Sequence, residues 1–249
     1  MRASARVIFL ALGLAGTAPA ALADISGGWA VPSLDTAQSI MRDVINREMI
    51  DRQVLKNAKA KEGRPDGSAA DDQPENILRF NPVERRQRQN IAQFVDAMRK
   101  TDPEVAARIT PIFTSRDVIG VIGKAIAVYG LQTNDVADAY AVYLTNVWLG
   151  TQGRADDLPK AHVVAVRNQA AALLLQSPGF TTLNDAQKQA MAETMLLQAT
   201  VISIRVNTAR TDPVLLARLQ GEIARQTKAS GLDIGAMALT EAGFKPSAR

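Results

Sequence analysis

The 249-residue chain contains no cysteine and a single histidine. Without cysteine there is no disulfide, no thiol nucleophile and no thiolate metal site, so stability rests on the hydrophobic core. With His162 as the sole imidazole, a zinc site would need two or three carboxylates in place of the usual ligands. A Ser-His-Asp arrangement would have to use this one residue. Aromatic residues make up 4%, and 29 basic against 25 acidic residues leave a formal charge of +4. So small an excess makes a poor counterion-releasing surface, which sets nucleic acid aside as a partner. No motif with an attached chemical mechanism is present, so neither a cofactor nor a metal is expected.

What is present begins with an address. Arg2 and Arg6 form a short basic region, Val7 to Gly16 an apolar one, and Ala21-Leu22-Ala23 places small residues where a signal peptidase inspects them. Residues 1–23 therefore read as a signal peptide cleaved between Ala23 and Asp24, with Ala18-Pro19-Ala20 as a second candidate, and the product as periplasmic or secreted. The apolar run is too short to stay behind as an anchor, so no transmembrane segment is expected in the mature chain.

Alanine and leucine abound while strict polar-apolar alternation is hard to find, which predicts an all-α fold. Residues 24–62 hold an amphipathic helix, with Leu34, Ala37, Ile40, Met41, Val44, Ile45, Met49 and Leu55 at spacings of three and four over 34–61. The 63–76 stretch (G-R-P-D-G-S-A-A-D-D-Q-P-E-N) lacks large apolar residues and reads as a flexible linker. From 77 to 249 the punctuation predicts one multi-helix, bundle-like domain. Asn81-Pro82 with Glu84 opens a helix to Lys100. Thr101-Asp102-Pro103 opens the next, which Pro111 shortens or kinks near Phe113. Ser115 caps the run from Val118 to Tyr129, which is apolar nearly all round and is expected to be the central helix.

Thr133-Asn134 caps a helix to Leu149, and Gly150, Gly153, Asp156 and Asp157 make the loop after it. Pro159 to Gln176 forms a helix ended by Ser177-Pro178-Gly179. Asn184 with Gln187 then opens a long helix to about Ala209, and Asp212-Pro213 opens another that ends near Ser230-Gly231. The tail from Leu232 predicts a turn of helix and an extended segment docking Phe244. One echo stands out: T-D-P-E-V-A-A-R-I from Thr101 matches T-D-P-V-L-L-A-R-L from Thr211. Duplication would explain it. The plainer account, which we favour, is that Thr-Asp-Pro is what helix N-termini look like.

The segment Y-G-L-Q-T-N-D-V-A-D-A-Y-A-V-Y-L from Tyr129 to Leu144, with Trp148 and the closing L-T-E-A-G-F of Leu239 to Phe244, resembles a family of small exported bacterial proteins, domain of unknown function 6683. The resemblance covers most of the chain after about Phe80 and implies a helical, exported protein. It brings no activity, cofactor or catalytic residue.

Among candidate sites, Asn134, Asp135 and Asp138 come first. Asn134 and Asp138 share a helix face, with Asp135 beside them, turned away from the stripe of Val136, Tyr140, Tyr143 and Val147. Two carboxylates there could hold a hard cation or share a proton; the plainer account is helix capping. His162, in the first turn of its helix, is either a general base or a histidine tied to a backbone carbonyl. Tyr129, Tyr140, Tyr143 and Trp148 suit a ligand groove or, more simply, the core. Arg85, Arg86 and Arg88 crowd a helix N-terminal half, where the dipole disfavours cations. Either something acidic lies opposite or they form a solvated face. The leading expectation is a non-enzymatic interaction or structural protein of the cell envelope. Its 34–61 helix must be covered by the body, by a partner, by a second copy or by a membrane surface. The alternative is a small-molecule binder or hydrolase using the Asn134/Asp135/Asp138 region, with Tyr140, Tyr143 and His162 as further candidates.

Overall fold

The computed structural model describes residues 74–115, 117–229 and 233–247. The expected signal peptide, the expected 34–61 helix and nearly all of the expected linker lie outside them. Within them the fold is helical with one small hairpin, as composition predicts. The helices are α1 (Pro74–Leu78), α2 (Glu84–Thr101), α3 (Pro103–Ser115), α4 (Val118–Ile126), α5 (Val136–Thr151), α6 (Lys160–Leu175), α7 (Pro178–Thr181), α8 (Asp185–Ala209) and α9 (Pro213–Ala229). An antiparallel pair follows, β1 (Met237–Thr240) and β2 (Gly243–Pro246), with Leu239 opposite Phe244. Among the described residues no helix is long and apolar enough to cross a membrane.

Helix starts follow local chemistry. Asp102 accepts from the Val105 amide at 3.0 Å, and Asp212 from those of Val214 and Leu215 at 2.9 and 3.1 Å. Asn184 and Gln187 exchange side-chain and backbone bonds in a full capping box. Three starts differ from expectation. Asn81 does not cap α2, because its backbone and side-chain nitrogens are both turned to Asp185 Oδ2, and the helix begins at Glu84. Asp117, not Ser115, caps α4 through the Gly120 amide, while α3 runs through Pro111 to Ser115. Asp135 rather than Asn134 caps α5, since its extended backbone aims the carboxylate at the free amides. The last residues of the expected linker are also helical, as the start of α1.

A single core cluster extends from Leu78 to Phe244. Its centre is not the apolar run at 118–129. On α4 only Val118, Ile119, Ile122 and Ile126 are buried, and the 3-10 turn that follows leaves Val128 43% exposed. The central pair is α5 and α8, with α6, α9 and α2 packed around them. On α5 everything except Tyr143, Trp148 and Thr151 is buried. Its alanines let neighbours approach closely, and its buried polar groups bond to their own helix: Thr145 donates to the Ala141 carbonyl at 2.8 Å and Asn146 to that of Val142 at 2.8 Å. Gly150 belongs to this helix rather than to the loop. A Cβ on it would stand 2.8 Å from Ile223 Cδ1 and 3.1 Å from Ile202 Cγ2, so α8 and α9 close on the helix where a side chain is missing.

The C-terminal hairpin docks on α6 and the end of α5. Gln169 matches the Phe244 peptide as a sheet neighbour would, donating to its carbonyl at 3.0 Å and accepting from its amide at 2.8 Å. Trp148 donates to the Met237 carbonyl at 2.9 Å and lies against the Phe244 ring. The expected docking of Phe244 is thus present, with a second strand added.

Candidate functional site

Asp135 and Asp138 meet at the start of α5, and Arg167 of α6 lies across them. Asp135 Oδ1 accepts from the amides of Ala137 and Asp138 at 2.9 and 3.1 Å, and Oδ2 takes Arg167 Nη2 at 3.2 Å. Asp138 Oδ1 accepts from Arg167 Nε at 2.9 Å, and its Oδ2 from the Gln132 amide at 2.7 Å. All four carboxylate oxygens are thus held by donors of the fold. Arg79 adds a long ion pair to Asp135 at 3.8 Å, and its backbone forms a bridge to the same residue.

The electrostatics follow from burial. Both aspartates are buried, at 1% and 5% exposure. Burial first and the Asp135 charge second hold the Asp138 carboxyl above its ordinary range, against the Gln132 and Arg167 bonds that lower it. For Arg167 burial acts the other way and lowers it, but the bonds and charges of Asp138 and Asp135 outweigh that and leave it raised. A shared proton between two facing carboxylates is not the arrangement found, because a guanidinium sits where that proton would go.

The other candidates are dispersed. Asn134 is outside the cluster; its carbonyl accepts from the Phe80 amide at 3.2 Å and its side chain reaches back to the Phe80 carbonyl at 3.5 Å. His162 shares α6 with Arg167, but five residues put it roughly 140° round the helix. It is half-buried, and no bond or ion pair joins its ring to the two aspartates. Tyr140 is a core residue whose hydroxyl is pushed far up by burial, with a smaller push from Tyr143. Burial also raises Tyr143, to about 12, and Tyr129 to about 12 with help from Asp157. These tyrosines keep their protons at neutral pH, as packing residues do. Among the described residues no group of three or more His, Asp or Glu is placed to hold a metal ion.

A second polar network was not anticipated. Glu193 on α8 is buried at 2% exposure, with Oε1 accepting from Gln189 at 2.8 Å and Oε2 from Asn90 at 2.6 Å. Gln189 also grips the Val83 peptide at both ends, at 3.0 Å each, and accepts from Arg86 at 3.2 Å. Burial raises the Glu193 carboxyl, while the bonds from Gln189 and Asn90 and the nearby Arg86 pull it back. Glu193 and Gln189 are therefore what faces the arginine run of α2. Of that run only Arg86 turns to them; Arg85 and Arg88 are exposed, and Arg88 pairs with Glu84.

Sequence signals for both networks existed in retrospect. Arg167 is the one charge in A-H-V-V-A-V-R-N-Q-A-A-A-L-L-L, and Glu193 the one in A-M-A-E-T-M-L-L. A lone charge inside an apolar helix must find a partner when that helix is buried on several sides. Which partner it finds is not legible along the chain.

No curated protein and no solved structure matches the chain. A model for a family of unknown function, DUF6683, matches residues 1–245, and the chain belongs to that family.

Proposed function

We propose that this protein is an exported, non-catalytic interaction protein of the cell envelope, with a helical body and an N-terminal segment for association. The observation that carries the reading is the commitment of Asp135 and Asp138: four carboxylate oxygens, each taken by a backbone amide or by Arg167. A catalytic or ligand-binding carboxylate needs a free lone pair facing its substrate. This pair spends its own on tying α5, α6 and the chain near Arg79 together. The raised Asp138 carboxyl is the one feature that favours the hydrolase alternative. Burial and the neighbouring Asp135 charge raise it without any catalytic demand, and Arg167 pulls it back.

Association is assigned to residues 34–61, whose apolar stripe gains nothing unless it is covered. The export step rests on the basic, apolar and small-residue pattern of residues 1–23. Deletion of residues 24–73 behind an intact signal tests the reading. The expected result is an unchanged melting temperature, with loss of self-association by light scattering or loss of a crosslinked envelope partner. A drop of several degrees at unchanged oligomeric state would assign the stripe to the body instead and overturn the association role.

A further inference from the structure

The Thr-Asp-Pro echo acquires a spatial meaning in the fold. α3 and α9, the two helices it opens, line one cleft together with α8, and the cleft is partly open to solvent. From α3 come Val105, Arg108 and Ile109; from α9 come Leu215, Arg218 and Leu219. These are the same offsets from Asp102-Pro103 and from Asp212-Pro213. Each trio is an i, i+3, i+4 face, apolar-arginine-apolar, presented once from each wall. Capping chemistry accounts for the Asp and Pro of both copies. It gives no reason for an arginine six residues further on.

We propose that this cleft binds a single-chain amphiphile with an acidic head, its alkyl chain on the apolar floor and its head on Arg108 and Arg218. The floor between the two trios is completed by Val201 and Ile204 of α8. The charges select the head group. Arg205 and Glu222, also in the lining, neutralise each other through a bidentate pair at 3.2 and 3.0 Å. Arg108 and Arg218 are exposed and make no ion pair or side-chain hydrogen bond with any described residue, so the rim carries two uncompensated guanidiniums over an apolar floor. A guanidinium matches a carboxylate or phosphate with two parallel bonds, and its methylene stem lies well on an alkyl chain. A neutral apolar ligand would leave both arginines unused, and a short acid would leave the floor wet.

Calorimetric titration of the full-length chain with dodecanoate, below its micelle concentration, tests the site against butyrate and dodecyl maltoside. The expected result is saturable binding of dodecanoate, with each control weaker by about tenfold or more. R108Q/R218Q, at two exposed positions, should weaken dodecanoate by about tenfold without moving the melting temperature or the maltoside response. T208W, at an exposed position in the lining, should block the cleft and abolish binding. Dodecanoate no tighter than the maltoside, or indifferent to R108Q/R218Q, overturns the proposal. So does sedimentation with phosphatidylglycerol vesicles that needs both arginines in a chain that does not bind free dodecanoate, because the rim would then read a bilayer surface. A change of oligomeric state in T208W, when the unsubstituted chain does not bind dodecanoate, also overturns it, since a second copy would then be the occupant.

Discussion

Replacing Arg167 with methionine gives the sharpest test of what the Asp135/Asp138 pair does. The guanidinium is 19% exposed, the two carboxylates 1% and 7%, and Arg167 holds one oxygen of each. Methionine keeps the stem and removes the charge, leaving two buried aspartates facing each other. Breaking a buried ion pair from one side costs about 3–5 kcal/mol, because the remaining charges stay desolvated. For a body of this size that corresponds to roughly 10 °C in melting temperature. Urea unfolding followed by circular dichroism at 222 nm measures it directly. The pH dependence has a definite sign. Asp138 is an acid whose folded pKa is already raised, so it binds its proton more tightly folded than unfolded. Its ionised form costs stability above the folded pKa, and that cost is relieved as pH falls through it. Without Arg167 the pKa rises further, so the deficit of the variant should shrink as pH falls below neutral. Adding Asp138→Asn should recover at least half of the loss at neutral pH, since Asn removes one charge and keeps an oxygen for the Gln132 amide. A loss below about 1 kcal/mol that does not vary with pH would mean that the aspartates are hydrated, and would refute the account.

Gln169→Ala strips two hydrogen bonds from the Phe244 peptide and should loosen the hairpin by about 1–3 kcal/mol. Hydrogen exchange at the Phe244 amide should quicken at least tenfold while amides of α5 stay protected; equal loosening of α5 would show that the hairpin is not a separate unit. Gly150→Ala sets a helix-propensity gain of about 1 kcal/mol against crowding of Ile223 and Ile202 worth about 1–3 kcal/mol. Alone it should destabilise. In an Ile223→Val background, which lacks the clashing Cδ1, the same change should be neutral or stabilising, and an identical cost in both backgrounds would sink the close-approach argument.

Some of this protein was determined by the chain alone. The starts of α3, α8 and α9 follow from Asp102-Pro103, from Asn184 with Gln187 and from Asp212-Pro213, because a cap satisfies free amides within four residues of itself. Absent cysteine and scarce histidine bounded the chemistry in the same local way. Where the expectations shifted, a distant group had intervened: Asn81 leaves the α2 cap for Asp185, more than a hundred residues away. The centre of the fold was decided only in three dimensions. A helix buried from every side, as α5 and α8 nearly are, carries no polar stripe, and alanine-rich burial looks bland next to the conspicuous valines and isoleucines of α4, whose far side faces water. The candidate carboxylates were visible from their spacing, but Arg167 was not. Their role turned on that partner, since an aspartate pair is reactive or structural according to what stands opposite it. The two arginines of the Thr-Asp-Pro echo were likewise legible as a pattern, and only the packing of α3 and α9 on α8 brought them to one cleft.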